Sequence, residues 1–171
     1  MEEKTNSVKA KKLFGMSNLF KTFLAFVTLA LIVEVAILAT TKAMRWDPVA
    51  NGRPWVVSAH VHIMVLGAFF TLIMMLLDKS FNITKAKLFK PFFIVYLVGF
   101  SLILLFILYK GFTQLLGGKT ISGLLQGGAA IAHTTMFVSL FMFCAVLKDA
   151  LGLTKNKNLI EAGDKSEKLE N

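Results

Sequence analysis

Four runs of apolar residues, roughly 22–41, 55–77, 89–109 and 121–147, dominate the chain. Each has about the 20 residues that a bilayer core demands at helical rise. None alternates apolar with polar positions, which excludes the strands of a membrane barrel. The pattern predicts an all-α protein, a four-transmembrane-helix bundle running up and down, with sequential helices as antiparallel neighbours. Residues 1–21 form a basic arm ahead of it, 22–148 the transmembrane domain, and 149–171 a polar tail with little to bury.

Composition and charge sharpen this picture. Of 171 residues 56% are hydrophobic, too many for a soluble domain of this size. The first run is longer than the core of a signal peptide and lacks a small-residue cleavage site after it, so it reads as a span. Fourteen of the 19 Lys and Arg lie in the arm, the tail and the connection holding Lys79, Lys85, Lys87 and Lys90. The other two loops hold five, which predicts both termini in the cytoplasm. This topology accounts for the net charge of +9 without nucleic-acid binding. Trp46 and Trp55 bracket the outer ends of helices one and two, as interfacial anchors do. The single cysteine, Cys144, allows no intrachain disulfide and reads as a small packing residue.

The candidate chemistry lies inside the spans, where His60, His62, His133 and Glu34 stand. Ionisable groups at such depth mark functional sites by default, with an interhelical hydrogen bond as the plain alternative. At roughly 100° per residue His60 and His62 point about 200° apart, so both cannot face one bundle centre. The His60 face carries Gly67, Thr71 and Asp78, small or polar as inward faces in membranes tend to be. The His62 face carries Val65, Phe69, Ile73 and Leu76. His60 is therefore the expected inward ligand, although depth from the helix start slightly favours His62. His62 reads as a supporting group, an alternative ligand or a residue of a dimer surface.

On helix four, Gln126, Ala129, Ala130 and Cys144 share the face of His133, and Gly123, Gly127 and Gly128 thin the same region. Close helix packing explains such residues as well as a bulky ligand does. Zinc usually takes a third or fourth protein ligand, whereas haem iron takes one axial ligand on each side. One haem b per chain is the expected cofactor, since no C-x-x-C-H motif is present to attach it covalently. Its metal ligands would be His60 and His133, with His62 less favoured. Gly67, Thr71, Gln126, Gly127 and Ala130 would line its cradle, and Arg45, Arg53 and Lys119 are available for its propionates. Glu34 is expected to support a ligand imidazole or to move protons, or else to be a buried neutral acid.

The segment AHVHIM followed by LGAFF resembles the second transmembrane helix of heme–copper oxidase and nitric-oxide reductase catalytic subunits. That resemblance implies His60 as a low-spin haem ligand. The span from Trp46 to Leu147 is also similar to a small family of bacterial four-helix membrane proteins. That family has an H-x-H-L-x-x-L-G pattern in helix two and a lone histidine in helix four, here Ala132-His133. Three histidines are too few for a second haem and a copper, so the chain is not expected to be an oxidase, or an enzyme alone. The expected function is a bis-histidine b-type haem protein of the bacterial cytoplasmic membrane, involved in one-electron transfer. The alternatives are a haem carrier, sensor or export component, and a non-haem transporter or scaffold with a His/Glu proton path. Expected partners are membrane lipid, a second copy in a homodimer permitted by the small residues, and a redox or haem-transfer protein.

Overall fold

The computed structural model describes residues 15–47, 51–52, 54–117 and 122–153, and every regular element among them is helical. Four helices are long and apolar enough to cross a membrane. The first span is Met16–Ala43, the third Phe89–Leu115 and the fourth Ser122–Ala150. The second is composite: α-helix Val57–His62, a π-helical stretch Ile63–Phe69, and α-helix Phe70–Phe81.

The helices outrun the apolar segments because backbone hydrogen bonding does not stop where hydropathy does. Gly15, in extended conformation, opens the first span, and its carbonyl accepts from Asn18 N–H at 2.8 Å. Ser17, Asn18 and Lys21, expected in the arm, are thereby helical. The third span continues to Leu115, so Lys110 is a helical residue and not a loop cation.

Left-handed residues end the first two spans. Arg45 (φ 50°) follows the first, and Trp46 N–H turns back to Thr41 O at 3.0 Å. Asn82 (φ 52°) follows the second. There Asp78 Oδ1 accepts from Thr84 N–H at 2.9 Å and from its hydroxyl at 2.7 Å, fixing the corner into the third span. Asp78, expected as part of a polar inward face, is thus the acceptor that closes a turn. Pro91 lies in the first turn of the third span, where its missing N–H leaves no helical bond unmade.

The first span packs along the second, and the third along the fourth, with the second and third joining the two pairs. The first contact is close: a Cβ on Gly67 would lie 2.8 Å from Phe26 Cγ. The half of the bundle near Asp78 is filled by rings. Phe70 meets Tyr96 and Phe143 at centroid distances of 5.0 and 5.2 Å, and Phe92 meets Phe143 at 5.1 Å. Offset and edge-on rings of this kind pack densely and add to the contact energy of their area. Among the described residues, the half near Trp55 holds a smaller cluster of Ile37, Val56 and Leu115, with an open cavity beside it.

In the π stretch the helix widens so that Phe70 N–H reaches Val65 O, five residues back. The Thr71 hydroxyl donates to Gly67 O at 2.6 Å. Such bonding to the preceding turn distorts helices locally. π-Helical turns of this kind occur frequently at functional sites.

Candidate functional site

The three histidines occupy two distinct places. His60 faces the first span: its Nδ1–H donates to Ala30 O at 3.2 Å, and Glu34 Oε2 lies 3.4 Å from the same nitrogen. Since a carbonyl can only accept, Nδ1 carries the hydrogen in this arrangement. Both side chains are partly exposed, at 30% for His60 and 40% for Glu34. The face holding His60, Gly67 and Thr71 does turn inward, but it turns to the first span. Its small residues admit Phe26, and the expected pairing of His60 with His133 gives way.

His62 and His133 come together instead. Both line an open cavity of about 200 Å³ with Leu66, Ile103, Met136 and Phe137, between the second, third and fourth spans, where His62 is half-buried and His133 and Phe137 are exposed. Each is held in the same way by its own helix. His62 Nδ1–H donates to Ser58 O, four residues back, at 2.7 Å. His133 Nδ1–H donates to Ala129 O, also four back, at 2.7 Å. In the neutral ring this bond places the hydrogen on Nδ1 and leaves the Nε2 lone pair for a ligand, the second-nitrogen arrangement that metal-binding histidines almost always show.

A second cavity, of about 260 Å³, continues toward the Trp55 end and shares Ile103 and His133 with the first. Phe106, Ala129 and Ala132 line it, with Lys110 and Gln126 as its polar groups. Neither cavity alone reaches the ~300 Å³ at which small-molecule sites begin, but together they pass it. Among the described residues no group of three His, Cys, Asp or Glu could hold a metal ion. Two imidazoles leave a bare zinc ion short of ligands, whereas iron carrying four ring nitrogens lacks only two. Two imidazoles beside a largely apolar open space are a sufficient donor set only for a group that brings its own metal and the rest of its ligands.

The other expected site residues are dispersed. Gln126 lines the larger cavity, while Gly127 and Ala130 lie exposed on the flank of the fourth span and line neither. Gly67 and Thr71 are buried against the first span. Arg45 is exposed in the turn after the first span, where its left-handed backbone ends the helix. Arg53 and Lys119 lie outside the described residues. Cys144 is exposed, so it is not an interior packing residue. Ile103 and Lys110 were not read from the sequence as site residues. Ile103 gives no signal within a uniformly apolar helix. Lys110 does, as a cation followed by another helical turn.

One protein-family profile, described as a protein of unknown function (DUF2871), matches residues 14–150. No curated protein and no solved structure matches. The likeness of AHVHIM to heme–copper oxidase subunits thus finds no counterpart in these comparisons.

Proposed function

The chain belongs to that family, DUF2871, and on this premise we propose that it is an integral membrane protein binding one b-type haem between His62 and His133. The observation that carries the reading is the matched pair of imidazoles. They come from different spans, line one apolar cavity, and are each anchored through Nδ1 with Nε2 left for a ligand. His62 and His133 would hold the haem, which would supply one-electron redox chemistry with no place on the iron for a substrate.

The protein's own contribution is positional. The Ser58 and Ala129 carbonyls fix the tautomer and the rotation of the two rings. Ile103 and Phe106 give the site apolar walls, whose low local dielectric would tune the potential of a bound haem. Electron relay further requires a donor and an acceptor, so a redox partner completes the function. The Lys and Arg distribution supports both termini on the cytoplasmic side, in a bacterial cytoplasmic membrane.

An absorption spectrum of the full-length protein, purified in detergent after expression with added haem, tests this. Sharp reduced α and β bands of a six-coordinate b haem are expected in the wild type and in His60→Ala. They should vanish or turn five-coordinate in His62→Ala and His133→Ala. A colourless wild type, or bands that depend on His60 and not on His62, would refute the reading.

A further inference from the structure

The larger cavity carries a charge that the imidazole pair does not use. Lys110 lines it, and no carboxylate is among its lining residues. A cation at the edge of an otherwise apolar space, with no opposing charge on that wall, favours an anionic group on whatever enters. The position of this lysine is built rather than incidental. Next to it, Gly111 lets the third span touch the start of the second, where a Cβ would lie 2.5 Å from Val56 N. Trp55 N–H donates to Gln114 Oε1 at 2.8 Å, tying the same two segments one turn further on. These contacts hold the Trp55 ring beneath the amine, with Nζ 3.3 Å from the ring centroid. A cation seated on an indole face keeps its N–H groups available on the other side.

The heights are also suitable. The third and fourth spans are level where Gly99 meets the Met136 backbone; from there toward the Trp55 end Lys110 lies eleven residues, roughly 16 Å, and His133 three residues, roughly 5 Å. The lysine is therefore roughly 12 Å nearer the mouth than the imidazole. A macrocycle held at His133 with its acidic edge toward the mouth would bridge such an offset to the end of the lysine side chain.

We propose that Lys110, seated on Trp55, is the anchor for a carboxylate of the bound ligand and fixes which edge of the macrocycle faces the mouth. This rests on the haem reading above and assigns the specificity of that site to a ligand with free carboxylates. The test compares two probes on the full-length apoprotein in detergent: iron protoporphyrin IX and its dimethyl ester, which has the same ring and iron but no charged carboxylate. The wild type is expected to bind the acid about tenfold more tightly than the ester. In Lys110→Gln the two should bind within about twofold of each other, and Lys110→Arg should keep the preference. Lys110→Met, similar in length, replaces Gln if that variant does not fold. Equal binding of acid and ester by the wild type, with six-coordinate bands intact, overturns the anchor and leaves the haem reading standing. A tenfold preference that persists in the neutral variants also overturns it. If neither probe binds the wild type, both readings fall.

Discussion

Tyr96 places a hydroxyl in the ring-packed half of the bundle, 1% exposed, with no hydrogen-bond partner among the described residues. A buried polar group left unpaired costs free energy, and its removal with shape preserved is neutral or favourable. Tyr96→Phe is therefore expected to raise stability by about 1 kcal/mol, seen as a higher unfolding temperature in detergent. A drop in that temperature would mean that the hydroxyl has a partner. The histidines show what is legible at this scale. That His60 and His62 point to different sides follows from helical geometry alone. Which side meets the fourth span does not, because a small inward face serves a neighbouring helix and a ligand equally well. Gly67 against Phe26 is such a helix contact, and it takes His60 with it to Ala30 and Glu34.

The second span is the element in which regularity fails. Its length and apolar character are plain in the sequence, and so are those of the other three spans. The π stretch is not, since Gly67 and Thr71 have the same four-residue spacing in helices that stay regular. Its effect is to set the rotation of Val57–His62 relative to Phe70–Phe81. The first part presents His62 to the cavity, and the second delivers Phe70 to Tyr96 and Phe143. Inserting one alanine after Met64, whose side chain is exposed, adds a residue beyond the one the wide turn already absorbs and should turn one part by roughly 100° against the other. Haem incorporation is then expected to fall sharply while helical circular dichroism is retained. Met64→Ala, which keeps the register, should bind as the wild type does. Equal binding by the insertion variant would show that the relative rotation of the two parts is incidental to the site.

At the scale of the whole molecule, chain order predicts sequential antiparallel neighbours, and the observed packing of first on second and third on fourth agrees. What hydropathy cannot distinguish is a ring that fills the interior from an apolar residue that borders a void. Phe92 and Phe106 look alike in sequence, yet one is in the aromatic cluster and the other lines the larger cavity. That asymmetry has a kinetic consequence. Amides open through local fluctuations whose cost follows the density of buried contacts around them. The two ends of this bundle should therefore breathe at different rates. In hydrogen–deuterium exchange, peptides covering Trp55–Val61 and Ile107–Gln114 are expected to label before those covering Phe89–Phe100. Added haem should slow the first group and leave the second unchanged; uniform labelling along the third span would argue against it. A bundle built this way has a stiff end that keeps its shape and a looser end, and a ligand that filled the looser end would also complete the packing.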